Sequence, residues 1–308
     1  MLPTDLGVGR GAACARAALV GNPSDGYGGA VIAVTVDQFQ ARATVRRARE
    51  PAASPASELV AASVRRFARE HCPEALGGAV EWETSVPRGV GLGGSSAIVI
   101  ATLRALCELH GVTLQRAELA TLALAVEREE LGIAAGLQDR VAQSYGGLTF
   151  MDFGPDGGYE QLDAGLLPPV LVAWRGDTSA DSGIVHGDLR SRFDAGERAV
   201  VDSMTYLAAA ARDARAALAR GDRAAFAACV DASFEARQRM MNLDERHVAM
   251  IERARACGAG ANYTGSGGAI AAVCRDDSHR AEVAAALREI GCATVATGAS
   301  GGAAKPGA

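Results

Sequence analysis

Residues 86–97 read VPRGVGLGGSSA, and a helical pattern begins directly behind them. Gly89, Gly91, Gly93 and Gly94 let the backbone turn sharply and come close to a ligand. Ser95 and Ser96 fall where a helix over Ser95–His110 begins. The first-turn N–H groups of such a helix lack internal partners and favour an anion. A serine hydroxyl there can cap the helix or bind a hard cation such as magnesium. The segment reads as a phosphate cradle with a metal ligand attached.

Two other phosphate loops fit less well. Gly89-x-Gly91-x-x-Gly94 satisfies the dinucleotide pattern G-x-G-x-x-G. The preceding strand, Ala79–Val86, alternates Val80 and Trp82 with Glu81 and Glu83. A dinucleotide-binding first strand is buried on both faces and is nearly all apolar. Pro87 also separates this strand from the loop. A Walker loop needs lysine before its Ser/Thr, and position 94 is glycine. The chain's single lysine is Lys305. Backbone amides, arginine and a divalent cation must therefore grip any phosphate.

At 308 residues the chain is long enough for two modest domains. A net charge of −5 does not favour a nucleic-acid surface, and the arginines are interspersed with acids along helices. Seven scattered cysteines without a C-x-x-C pair imply reduced thiols and a cytoplasmic protein. The five histidines are remote from one another in sequence, which gives a histidine metal site little support. No signal pattern and no apolar run of membrane-spanning length is expected.

Along the chain, residues 1–12 read as loose. Ala15–Gly21, Ala30–Val36 and Gln38–Arg46 read as strands, with a turn over Asn22–Gly29. Glu50–Ser57 is a loop, Glu58–His71 an amphipathic helix, Leu114–Leu131 a second and Gly136–Ser144 a shorter one, before a strand at Gly146–Asp152. The second half runs strand (Val170–Arg175), long helical region (about Ile184–Arg255), strands Gly258–Tyr263 and Ala269–Cys274, helix Asp277–Ile290 and strand Cys292–Thr297. That is ferredoxin-like order with helices inserted in the first crossover. The expected domains are 1–165, an N-terminal α/β nucleotide-binding unit, and 166–298, a C-terminal ferredoxin-like unit, with a disordered tail over 299–308. The fold class is α+β, with sites between the two halves.

The segment from Pro87 through Gly91, Leu92, Gly93, Gly94, Ser95, Ser96 and Ala97 resembles the ATP-phosphate motif of the GHMP kinases, the family of galactokinase, homoserine kinase and mevalonate kinase. Two further segments follow in the family's order. Gly136-Leu137-Gln138-Asp139 resembles the stretch with the catalytic carboxylate, and YTGSGGA at residues 263–269 resembles the third, phosphate-closing motif. Taken alone, the latter reads equally as a hairpin turn, and Asp139 as a first-turn helix acid.

The resemblance implies a two-domain GHMP fold and phosphoryl transfer from ATP, with Mg2+. It makes Asp139 the base and places Arg16, at the start of RAALVGNPSD, near the transferred group. It puts nucleotide contacts on Gly89, the 91–97 loop, Gly265, Ser266 and Gly267. Asn22, Ser24, Asp25, Gln138 and Arg140 become acceptor contacts, and Ser182 in TSADSG a further one. Magnesium falls to Ser95 or Ser96 together with Glu127, with Glu130 on the same helix face as the alternative.

Within the family, NPSDGYGG, GLGGSSAIV, LGIAAGLQDRVAQSYGGL and YTGSGGA most resemble the branch that phosphorylates D-glucuronate at its anomeric hydroxyl. A sugar acid calls for a fixed cation, and Arg140, Arg190, Arg192, Arg237 and Arg239 are the candidates, Arg140 and Arg237 being counted among the acceptor contacts. The alternatives are a kinase for another sugar or polyol, a catalytically silent sugar-binding member of the fold, and a nicotinamide dehydrogenase. The expected partners are a small sugar acid and at most a second copy of the chain, with no nucleic acid and no membrane.

Overall fold

The computed structural model describes residues 7–47, 57–176 and 182–297. The expected loop at 50–56, residues 178–181 of the polar TSADSG segment and the tail at 299–308 lie outside the described residues. The N-terminal sheet is built on a long hairpin. Strand β1 (Val8–Val20) pairs antiparallel with β2 (Ala30–Arg47). Two expectations change here. The residues expected to be loose already form strand from Val8, because their backbone groups pair with the far end of β2. The two short strands expected at 30–46 are a single one. Cys14 pairs with Gln40 and Ala15 with Val36, so Asp37–Phe39 form a bulge that breaks the alternation without ending the strand.

Strand β3 (Gly78–Thr84) lines the later part of β2, and β4 (Leu148–Asp152) lines its first five residues. A short strand, β5 (Tyr159–Leu162), with too few residues to carry an alternating pattern, pairs with β4. Helices α1 (Glu58–Glu70), α2 (Gly94–His110), α3 (Arg116–Ala125) and α4 (Gln138–Tyr145) belong to this half. Helix α2 is its central rod. Residues 96–103 are buried without interruption, so it has no solvent stripe over its first turns. It lies directly on β1. A Cβ at Gly11 would fall 2.0 Å from the Ala101 carbonyl oxygen, so glycine sets the approach distance.

The second sheet holds β6 (Val170–Trp174), β7 (Gly260–Tyr263), β8 (Ala269–Val273) and β9 (Ala293–Thr297), all antiparallel, in the order β7-β8-β6-β9. This is the ferredoxin-like arrangement. Helices α5 (Ser182–Asp194), α6 (Arg198–Ala219), α7 (Arg223–Met240) and α8 (Glu245–Ala256) fill the first crossover, and α9 (Asp277–Glu289) forms the second.

The halves share one core. Ala210, Ala211, Ala214 and Ala217 of α6 recur at helical spacing and cluster with Leu19, Ile32 and Val34 of the first sheet. Thr297 of β9 also donates its hydroxyl to the Thr35 carbonyl of β2, at 2.9 Å. No helix among the described residues is long and apolar enough to cross a membrane.

Candidate active site

A cavity of about 650 Å³ opens where the two halves meet. Its walls come from the turn after β1, the loop before α2, the stretch from Glu127 to Arg140, and the loop between β7 and β8. All three motifs separated in sequence therefore face a single space.

The glycine loops close one end. Gly93, at the N-cap of α2, has φ +73°, and no side chain caps the helix. The first-turn amides of Gly94 and Ser95 thus have no helical partner, and both residues line the cavity. The loop between β7 and β8 packs backbone to backbone on the first. A Cβ on Gly91 would lie 2.6 Å from the Gly267 carbonyl oxygen, and one on Gly265 would lie 2.5 Å from the Gly91 oxygen. Only glycine admits that contact, which accounts for the glycines at both ends of it.

Arg16 ties these loops to the candidate base. Its Nε and Nη2 donate to the two carboxylate oxygens of Asp139, at 2.6 and 2.5 Å. Its Nη1 donates to the carbonyls of Gly91, at 2.6 Å, and Thr264, at 2.8 Å. Its own amide donates to Leu92 O at 3.0 Å. The guanidinium is buried, and most of its donors are spent on protein. Gln143 adds a second clamp by donating to Gly93 O at 2.8 Å and Cys14 O at 3.0 Å.

The opposite end is built from side chains. Asn22 donates to Gln138 Oε1 and accepts from Arg237 Nη2. Arg237 also donates to Asn22 O at 3.0 Å and Gly265 O at 2.9 Å. It lies 1% exposed behind the cavity wall, joining α7 to both the turn and the second glycine loop. Burial lowers its pKa to about 10, so it stays charged at neutral pH. Asp25 lines the cavity, with Oδ2 against Gly136, where a Cβ would come within 2.4 Å. Burial, then the charge of Asp139, push its carboxyl up to about 6 against help from the Gln138 amide, Arg16 and Arg140.

Glu127 is fully buried on the floor, on a π-helical turn over Val126–Glu130 that widens the end of α3. Its Oε2 accepts from Arg140 Nε at 2.5 Å and also from Nη2. Its Oε1 is buried without a partner among the described residues. Glu130 instead faces α1, with Arg69 Nη2 at 2.5 Å.

The expected site residues therefore divide. Pro87, Gly89, Gly91, Leu92, Gly93, Gly94, Ser95, Gly265 and Ser266 line the cavity, as do Arg16, Asn22, Asp25, Glu127, Gln138, Asp139 and Arg140. Ser96 and Ala97 lie beneath it, and the Ser96 hydroxyl donates to Gly93 O at 3.1 Å. Ser24 is buried and donates to Ala30 O at 3.1 Å, which shapes the turn. Gly267 supports the loop from behind, and Ser182 is the first residue of α5. Arg88, Arg128 and the stretch Ile133–Ala135 also line the cavity and were missed. Arg128 sits in EREE, which reads as a solvated helix face. No helical periodicity signals a π turn.

The donor set can be tested for magnesium. Among the described residues, no group of three or more His, Cys, Asp or Glu is placed to hold a metal. The Ser95 hydroxyl is exposed with no bonded partner among the described residues, and Glu127 Oε1 is a buried orphan on the same cavity. Two hard oxygens, with phosphate and water for the rest, suit Mg2+, which seldom has an all-protein cage.

A cavity between the two halves, closed at one end by helix-start amides and holding an oriented carboxylate, suits phosphoryl transfer to a small molecule. Family models place it further. The one described as the GHMP kinases N terminal domain matches residues 58–147, and the GHMP kinases C terminal model matches residues 214–293. The chain belongs to the GHMP kinases, which transfer phosphate from ATP to a hydroxyl of a small molecule. Glucuronokinase 1 of Arabidopsis thaliana is 32% identical over 303 residues, covering 84% of this chain and 83% of its own. Probable glucuronokinase 2 of the same plant is 32% identical over 314 residues, covering 88% and 85%. Among solved structures, Lactococcus lactis galactokinase complexed with galactose shares the fold with a TM-score of 0.78 at 16% identity, over 94% of this chain and 92% of that one.

Proposed function

We propose that the chain is a sugar kinase that transfers the γ-phosphate of ATP to the anomeric hydroxyl of D-glucuronate, giving glucuronate 1-phosphate. One observation carries the chemistry. Arg16 fixes Asp139 beside the junction of both glycine loops, so base and phosphate cradle share one clamp. The sugar acid rests on the two relatives named above, each similar over most of its length.

In this reading, the amides of Gly94 and Ser95 receive phosphate oxygens. Arg88, exposed on the rim beside Pro87, replaces the missing lysine. Ser95 Oγ and Glu127 Oε1 would hold magnesium, which spreads phosphate charge when bound. Asn22, Asp25 and Gln138 hold sugar hydroxyls, and Gln138 Nε2 is a buried donor with no partner among the described residues. The acceptor oxygen bonds to the γ-phosphorus as the bond to the ADP oxygen breaks, and its proton passes to Asp139. Alignment does most of the work, and the base chiefly orients the hydroxyl.

The test is an ADP-release assay with ATP and Mg2+ across uronic acids and the matching neutral sugars, with NMR to locate the new phosphate. D-Glucuronate 1-phosphate as the best product is the expected result. A neutral sugar or polyol with the higher kcat/KM overturns the acceptor assignment, and nucleotide binding without turnover overturns the kinase reading.

A further inference from the structure

A carboxylated sugar must meet a cation, and the structure narrows the arginines that can supply it. Arg140 is bound to Glu127 and lies 3.9 Å from Asp139 Oδ2, beside the reacting position. Arg237 is buried behind the wall with each of its guanidinium nitrogens engaged by Asn22 or Gly265. Arg192 is held by Glu197, Asp188 and Met240 O, and Arg239 lies over the Tyr206 ring. Neither lines the cavity. Arg190 does, but its charge is paired with Asp194 at 2.9 Å, its Nη1 donates to Gly26 O at 3.4 Å and its guanidinium lies over the Tyr27 ring.

Arg128 differs from all of these. Its Nε donates to the Ala135 carbonyl at 2.7 Å, which anchors the side chain. No hydrogen bond or ion pair engages its Nη1 or Nη2 among the described residues. It lines the main cavity and also an adjoining one of about 490 Å³, as do Asp25, Gly26 and Gly136. That second cavity touches neither glycine loop. Arg128 therefore stands at the acceptor end, away from the phosphates. The π turn puts it there. Glu127 and Arg128 are adjacent, yet one lines the buried floor and the other the exposed rim of the same space.

Resting on the sugar-acid reading above, we propose that Arg128 is the specificity-determining residue, its free guanidinium end pairing with the acceptor's carboxylate. In a uronic acid the carboxylate is carried on C5, which is joined to the anomeric carbon through the ring oxygen. With the anomeric hydroxyl at Asp139, the rest of the ring extends toward the acceptor end, where Arg128 lines the cavity with an unengaged guanidinium end. Anchoring at Nε presents Nη1 and Nη2 as a preset fork, so little rotamer freedom is lost on pairing.

The test compares D-glucuronate with D-glucuronamide, the same ring with a neutral carboxamide, in the full chain and in Arg128→Gln, Arg128→Lys and Arg190→Gln. Steady-state kinetics are read with thermal melting as a check on folding. Arg128→Gln should raise KM for glucuronate roughly 10- to 100-fold, with KM for ATP and turnover of glucuronamide little changed, so that the preference for the acid collapses. Arg128→Lys should recover part of it. A wild-type preference that survives in Arg128→Gln, or that is lost more fully in Arg190→Gln, overturns the assignment to Arg128. A wild-type enzyme with no preference for the acid overturns the sugar-acid reading itself.

Discussion

The two ends of the cavity are made of different material. At the phosphate end the surface is main chain: two glycine loops in contact and the unpaired amides of α2, with side chains mostly absent. At the acceptor end it is side chain: Asp25, Asn22 and Gln138, drawn from β1's turn and α4, with the Glu127–Arg140 pair of the π turn and α4 between the two ends. A backbone surface binds what all members of a reaction class share, here a triphosphate. A side-chain surface can be altered residue by residue, and acceptor choice belongs there. Arg16 is the joint, with one edge on Asp139 and the other on the loop carbonyls.

If that division holds, the largest effect comes from the reacting side chain. Asp139→Asn should cut kcat by about a hundred- to ten-thousand-fold while leaving ATP affinity within a few-fold, measured by steady-state rates and by calorimetric titration of nucleotide. Loss of nucleotide binding alongside turnover would mean that the two ends are not separable, and that Asp139 acts by holding Arg16 against the loops.

The next effect probes the backbone end. Gly91→Ala places a methyl 2.6 Å from the Gly267 carbonyl at φ +75°. It should cost about 2–4 kcal/mol of stability and weaken ATP binding more than acceptor binding. Denaturant melts and separate titrations of the two substrates measure this. Equal weakening of both would blur the comparison.

The two adjacent serines sharpen it further. Ser95→Ala should raise the Mg2+ concentration needed for half-maximal rate by about tenfold. Ser96→Ala loses only a hydroxyl already given to Gly93 O, and should show a small loss of stability with an unchanged Mg2+ requirement. The reverse outcome would move the metal ligand to Ser96.

The same contrast decides what the sequence reveals. The backbone end is legible because it needs glycine, proline and serine in register within a dozen residues, and such a run has few other uses. Asp139 and Arg16 are legible only through that register. The acceptor end is assembled across more than a hundred residues, as in the contact between Asn22 and Gln138, so its residues are legible only through the family resemblance and no local pattern records their contacts. Helices such as α1 and α9 were placed within a residue or two by their periodicity. Strand β5 was missed because its four residues, YEQL, carry too little pattern, and the β2 bulge hid one strand as two.

The smallest effect tests the acceptor end through stability, with no substrate present. Asp25 has its carboxyl held up to about 6, first by burial and then by Asp139. A folded-state pKa above the unfolded one means that the native state favours the protonated form. That contribution is fully present below the unfolded value near 3.8 and is lost as pH rises through about 6. Above that range, the substrate-free fold carries an unfavourable buried charge. Asp25→Asn removes the charge and keeps the shape. Its Tm relative to wild type should therefore rise by about 2–4 °C on going from acid to pH 8, without acceptor present. Acceptor affinity should fall, since the amide is a poorer partner for sugar hydroxyls than the carboxylate. A Tm difference that does not vary with pH would mean that Asp25 is solvated like a surface acid. The acceptor end would then be no more costly to build than the phosphate end.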